Sequence, residues 1–439
     1  MSASGLTDLE RDLADAVDVD GLVRTAQELV RIPSWNGRET AAQDFMTAAM
    51  ADAGLVVDRW TIDLDELSRH PSFSSEVERD EAIGLVGRFP GTQDVGPSSG
   101  PGAGASGPGR TLVLNGHVDV VPPGDDALWT DPPFSGTVRD GRLHGRGALD
   151  MKGALVAALY ALRAVRATGL RLAGDVHLQS VVGEEDGGLG TLASVLRGYR
   201  GDGAIVMEPT RLAVAPAQAG CLNFRVRIRG LAAHGAVREE GVDAIEKLPT
   251  IMAGIRWLEE DRNRRFGGDP LFASYAFPFP ICVGTVRGGD WASSVADHLT
   301  FEGRYGVAPG EDEAEARREL ERAVAEAAQG DPWLRDHPPE LTWWGGRFTA
   351  ARTDPEHPLV TTVHAVGSAV SGRDLPLEAM TYGADMGTLA TVGATPTVLF
   401  GPGDIRRAHR PDEWVAIDDL AAVARTLAVT AVRFCGIGT

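Results

Sequence analysis

The feature that most constrains the fold is a run of short apolar segments alternating with helical ones between residues 111 and 207. TLVLN at residues 111–115 ends at Gly116 and reads as a buried strand. Residues 153–167 are rich in Ala and Leu and predict a helix. A second strand follows at 175–182, then a Gly-rich loop, a helix at 189–196 and a short strand at 204–207. Strands that alternate with helices in this way predict an α/β core around a mostly parallel sheet. Ligands of such sheets gather outside the carboxyl ends of the strands, so those ends are the places to search for chemistry.

The flanking sequence extends this core. Helical spacing of apolar residues predicts helices at 21–30 and 40–55, separated by Pro33 and Asn36-Gly37. Two stretches look inserted: residues 63–81 are polar with little periodicity, and 93–110 carry GPSSGPGAGASGPG, which predicts a flexible surface loop. Near Gly220 the pattern changes. LNFRVRIRG at 222–230 alternates like a half-exposed strand, followed by a helix at 242–259, strands at 281–286 and 299–307, and a charged helix at 311–327. This order suits a small α+β sandwich of one sheet and two helices. After Pro339 the α/β character returns, with strand TVLF at 397–400 and a last helix at 418–434. The expected organisation is a discontinuous main domain, residues 1–219 and 340–439, interrupted by an inserted domain at 220–339 with hinges near Gly220 and Pro339.

Composition narrows the function classes. The formal net charge is −20, which argues against nucleic acid and against an anionic membrane as partner. No stretch approaches about 18 consecutive apolar residues, so no membrane span is expected. The acidic, polar start lacks a secretory pattern. Cys221, Cys282 and Cys435 are widely spaced and form no CxxC pair; they read as buried or half-buried thiols, and their scarcity fits a cytoplasmic location.

The chemistry-bearing residues fall in five segments. Asn115-Gly116-His117-Val118-Asp119 follows a strand, and His117 and Asp119 share a face in extended chain. The pair reads as a metal ligand with its partner, or as a structural His–Asp contact. Asp150 lies in the Gly-bracketed stretch 145–153 before a helix, where it suits a helix cap or a carboxylate bridging two metals. Glu184, Glu185 and Asp186 lie between glycines at a strand end, a concentration of like charge that a divalent cation relieves, as would full solvation. Glu208 ends a short apolar strand, and His409 follows another, in the stretch 408–413. Taken together, two His and several carboxylates suit zinc or a similar divalent ion better than calcium or magnesium. The histidines outside these segments, among them His144 and His298, are assigned to surface or core.

LNGHVDVVP, GRGALDMKGAL, VVGEEDGG, MEPT and GPGDIRRAHRPDE resemble, in order, the signature segments of the co-catalytic zinc exopeptidases. That family includes aminoacylases, acetylornithine deacetylases, succinyl-diaminopimelate desuccinylases and carboxypeptidase G-type enzymes. The resemblance covers nearly the whole chain, including RGLAAHGAVREEGVDAI. It implies a three-layer metallohydrolase domain with an inserted lid and dimerisation domain, and two divalent metal ions, zinc first, with cobalt or manganese as substitutes. His117, Asp150 and Glu208 would hold one metal; Asp150, Glu185 and His409 the other, with Asp150 bridging. Asp119 would orient His117, and Glu184 would be the general base acting on metal-bound water. His234 would contact substrate and oxyanion, reaching into the partner's site in a homodimer formed through residues 220–339. Ser293 stands where the family has an Asn, Arg304 is the candidate carboxylate clamp, and Tyr382-Gly383 match a pocket-lining loop, with core packing a rival for Tyr382. The implied reaction is removal of an N-acyl group from an acylated amino acid or related small amine; a metallo-dipeptidase or carboxypeptidase is the alternative.

Overall fold

The computed structural model describes residues 5–35, 37–92 and 109–438. Asn36 and most of the glycine-rich stretch expected as a flexible loop therefore lie outside the described residues. The chain forms two compact units: residues 1–217, 351–379 and 384–439 make the first, and residues 218–350 and 380–383 the second.

The first unit is built on a six-stranded sheet in the spatial order Val56–Thr61, Ile83–Phe89, Val176–Val181, Leu112–His117, Gly203–Val206 and Thr397–Leu399. The last four run parallel, and the first two form an antiparallel edge. Leu112–His117 is buried along its whole length, as a strand covered on both faces must be. The chain moves from this strand to Val176–Val181 on one side and then to Gly203–Val206 on the other. That reversal makes the carboxyl end of Leu112–His117 a topological switch point. Helix Gly153–Ala167 is buried on almost every side, which is why its Ala and Leu residues show so little amphipathic pattern. It packs on the long final helix Ile417–Cys435 and on strand Leu112–His117.

The second unit is a four-stranded antiparallel sheet in the order Ile281–Gly288, His298–Val307, Gly220–Arg229, Glu340–Phe348. In Gly220–Arg229 the residues Leu222, Phe224, Val226 and Ile228 point into a core shared with helices Ala244–Phe266 and Glu313–Gln329, while Arg225, Arg227 and Arg229 point outward. Residues 340–350 belong here and not, as expected, to the returning part of the main domain. The reason is pairing: Trp343 is in register with Phe224, against whose ring it packs edge-on. Residues 380–383 also join this unit. All three cysteines are free, but Cys282 is exposed instead of buried or half-buried, because it takes an outward position on an edge strand. Among the described residues no helix is long and apolar enough to cross a membrane.

Candidate metal centre

Strand register brings the site together within the first unit. His117 is the last residue of its strand and lies opposite Val181 of the parallel neighbour, so Glu184 and Glu185 leave the sheet beside it. On the other side Asn115 is opposite Val206, which places Glu208 level with His117. Leu399 is in register with Val206, and the loop after that strand carries His409 back to the same edge. Asp150 arrives differently, from an irregular turn before helix Gly153–Ala167.

The distances define a shared cluster. His117 Nε2 is 3.2 Å from Asp150 Oδ1, 3.8 Å from Glu208 Oε1 and 4.0 Å from Glu184 Oε2. His409 Nε2 is 3.0 Å from Glu185 Oε2 and 3.5 Å from Asp150 Oδ2. Asp150 thus turns one oxygen toward each histidine. Ligand atoms of His117, Glu184 and Glu208 lie within 4.8 Å of one another, as do those of His117, Asp150 and Glu185. The first of these groups contains Glu184 where the resemblance would place Asp150. Asp119 meets His117 through its main-chain oxygen, 2.8 Å from Nδ1, while its carboxylate stays 3.7 Å away. That carboxylate instead accepts the Glu185 backbone N–H at 3.0 Å, tying the two loops.

Charge crowding is severe. Burial, reinforced by neighbouring carboxylates, pushes the carboxyls of Glu184 and Glu208 well above their ordinary range. Burial disfavours the charged forms of both histidines, yet the carboxylates prevail. Asp119, Asp150 and Glu208 raise His117 well above its ordinary value, and Glu185 and Asp150 raise His409 to about 11. Divalent cations would relieve this repulsion and leave ionised carboxylates and neutral imidazoles, the forms that bind metal. Glu208 Oε1 and Asp119 Oδ1 are buried without a hydrogen-bond partner. The donor set therefore fits divalent metal. His409 also holds a left-handed backbone, φ 59°, which is costly for a residue with a Cβ and is found where a side chain must be aimed.

Several further residues support the ligands. Glu413 is buried against Arg146 and accepts backbone N–H groups from Gly147, Leu149 and Asp150 at 2.9, 3.0 and 3.2 Å. Burial lifts its carboxyl to about 7, against the pull of Arg146. The stretch 63–81 looked like an insertion, but its end clamps the Glu184-Glu185 loop. Arg79 makes a two-armed ion pair with Asp186 at 2.7 and 2.8 Å, and Ser75 Oγ and the Val77 N–H each donate to the same carboxylate at 2.9 Å. Gly187 has φ 138°, and a Cβ there would come 2.5 Å from the Ser74 carbonyl, so the clamp needs glycine at that position. Asp385 is fully buried and receives a hydrogen bond from Thr191 Oγ1 at 2.6 Å. Arg146, Asp186, Gly187 and Glu413 lie in stretches the sequence singles out, without a supporting role assigned to them, whereas Ser75, Val77 and Arg79 lie in the stretch that reads as an insertion.

The remaining expected residues lie in the second unit. His234 is exposed, its Nδ1 accepts the Ala236 N–H at 3.1 Å, and its backbone bridges to Ser294, beside Ser293. Arg304 donates to the Thr381 carbonyl at 3.2 Å and so reaches the loop that carries Tyr382 and Gly383. A Cβ on Gly383 would fall 2.3 Å from that of Phe348, so this loop is packed tightly on its own unit.

The sequence pattern of peptidase family M20/M25/M40 matches residues 113–433. An N-formyl-4-amino-5-aminomethyl-2-methylpyrimidine deformylase from Halalkalibacterium halodurans is 31% identical over 346 residues, covering 74% of this chain and 79% of that protein. The enzyme of the same name from Bacillus subtilis is 28% identical over 439 residues, covering 94% of each. Among solved structures, a di-peptidase from Saccharomyces cerevisiae superposes with a TM-score of 0.73 at 15% identity, covering 99% of each chain, a likeness of fold.

Proposed function

The chain belongs to peptidase family M20/M25/M40 and is a metal-dependent amide hydrolase, and from that premise we propose that it removes a small acyl group, of formyl size, from the amino group of a small amine. The observation that carries the reading is the two-sided Asp150 carboxylate, with Oδ1 toward His117 and Oδ2 toward His409. That arrangement suits two divalent cations, zinc by its donor types. His117 and Glu208 would hold one with Asp150, and Glu185 and His409 the other. Bound there, the cations would polarise the amide carbonyl and lower the pKa of water.

The protein's own groups do the rest. Glu184, made more basic by burial and by Glu208, takes the proton of the attacking water and passes it to the leaving amine. Asp119 and Glu413 hold the ligand loops in place. His234, Ser293, Arg304, Tyr382 and Gly383 are the proposed substrate contacts, and residues 220–339 the proposed homodimer surface. The three free cysteines support a reducing, cytoplasmic setting.

The size of the acyl group rests on the two deformylase relatives. Turnover of an N-formyl aminopyrimidine, of N-acetyl amino acids and of dipeptides should be measured on the metal-loaded enzyme. Faster dipeptide cleavage would sink the deacylase reading in favour of a dipeptidase. Glu184→Gln should keep its metal content by elemental analysis and lose about 10²–10⁴-fold in kcat. Retained turnover would falsify its role as base.

A further inference from the structure

A concentration of positive charge sits beside the metal-site loop in this acidic chain, and the proposed chemistry does not use it. Strands Thr137–Arg139, Arg142–His144 and Trp414–Ala416 form a small antiparallel sheet in the first unit. His144 is opposite both Thr137 and Trp414, and Arg142 is opposite both Arg139 and Ala416. Cross-strand partners share a face, as do residues two apart on a strand. Arg139, Arg142, His144 and Trp414 therefore occupy one face. Two exposed arginines directly opposite each other repel, a cost that water moderates and that a bound anion would relieve further.

The protein supplies only part of that balance. A cavity of about 350 Å³ on this face is lined by Arg139, His144, Arg407, Arg410, Pro411, Asp412 and Trp414. Arg139 is paired with Asp131 at 2.8 Å. Arg142 and Arg407 lie over the Trp414 ring, 4.1 and 4.4 Å from its centroid, and Arg410 reaches the Arg406 carbonyl at 3.4 Å. Among the described residues none of these three has a carboxylate partner. Of the nearby acids, Asp404 is held by Arg406 and Glu413 by Arg146; both Asp412 oxygens take hydrogen bonds from Thr130 at 2.7 and 2.8 Å, and its charge offsets part of that of Arg139 and His144. The imidazole of His144 reports the same field: burial and then the Arg139 charge hold it below its ordinary pKa.

We propose that this cavity is a binding site for a small oxyanion, phosphate or carboxylate, held by Arg139, Arg407 and Arg410 over the Trp414 face of the sheet. Guanidinium groups converging from different elements match the several oxygens of such a group, and their charge-assisted bonds are the strong kind. The site adjoins His409 in sequence but uses none of the metal-binding side chains.

The test is calorimetric titration of inorganic phosphate into the metal-loaded enzyme. Saturable binding that weakens with added salt is expected. Arg407→Ala, and Arg139→Ala on a strand away from the His409 loop, should each weaken it about tenfold, the loss of one charge-assisted contact. Both variants should keep wild-type metal content and circular dichroism. Phosphate held by the metals instead would bind equally well to both variants, and that result, or no saturable binding to the wild type, overturns the proposal. The source of the natural anion is read from kinetics. Phosphate that raises KM for the amide substrate in the wild type but not in Arg407→Ala marks the cavity as the seat of the substrate's own anionic end, and phosphate that leaves KM unchanged marks it as the seat of a separate anion; either supports the site, whereas an equal rise in both places phosphate on the metals and counts against it. Binding is read without turnover, so it stands or falls apart from the deacylase reading.

Discussion

Arg79 shows how much of a metal site is set by residues that never meet the metal. Its side chain is almost fully buried with Asp186, which is next in the chain to Glu185, and it also reaches Glu39 at 3.3 Å. Burial and the Asp119 charge push Glu39 up to about 7, so the cation holds together a group that would otherwise repel itself. Arg79→Ala leaves Asp186 buried without its counter-ion, a change that costs about 3–5 kcal/mol. It should also let the Glu184-Glu185 loop shift, and a displacement of about 1 Å at a reacting group can cost about 100-fold in rate. Denaturant titration gives the first effect. For the second, a drop in kcat with little change in KM, together with weakened metal affinity by calorimetry, separates lost positioning from simple instability. Arg79→Lys, which keeps the charge but not the two-armed geometry, should recover only part of either. The sequence held no sign of this residue. Arg79 sits in a stretch without periodicity, and its partner is far along the chain. The ligands themselves are legible because they follow recognisable strands or precede a helix in an ordered set of segments that resembles a known family, whereas each is ambiguous alone.

Elements were legible in proportion to how fully their pattern matched their surroundings. Strand Gly220–Arg229 alternates because one face meets a core, and helix Gly153–Ala167 is apolar throughout because it is enclosed. Strands Val56–Thr61 and Ile83–Phe89 carry a weaker pattern. The second carries Gly84 and Gly87, which weaken any strand signal. They are glycine because a Cβ at 84 would meet the Trp60 ring at 2.2 Å and one at 87 would meet Leu55 at 2.7 Å. Helix Asp8–Asp15 is marked in the sequence by its Thr7–Glu10 capping box. Glu10 does a second job, pairing with Arg433 of the final helix at 2.6 and 2.8 Å. Hydrogen bonding to Arg433, against the opposing effect of burial, lowers its carboxyl from 4.5 to about 2. A carboxyl depressed on folding contributes stability that is complete above its unfolded pKa and is lost as the pH falls through its folded one. Glu10→Gln should therefore cost about 2–3 kcal/mol at neutral pH, and its cost should shrink between about pH 4.5 and 2. Urea titrations of wild type and variant at pH 7 and near pH 3 measure both. A cost that does not change with pH would mean that Glu10 acts by packing alone.

At the scale of the whole molecule the open question is how many copies make one active site. The second unit leaves strand Ile281–Gly288 at the edge of its sheet, exposed from Thr285 to Gly288, and Trp257 and Trp291 are 60% and 74% exposed. An exposed strand edge flanked by large apolar groups invites pairing with another chain, which supports the proposed homodimer through residues 220–339. His234 belongs to that unit, whereas Glu184 belongs to the other. If His234 serves the active site of its partner, then a dimer of one His234→Ala chain and one Glu184→Gln chain contains one complete site. The intact Glu184 of the first chain receives the intact His234 of the second. In a two-fold symmetric dimer, random mixing of equal amounts makes half the dimers mixed, with one site in two restored, so about a quarter of wild-type activity is expected. Each variant alone should stay near background. Sedimentation of the mixture must show dimers, and if activity does not rise under those conditions His234 serves its own chain.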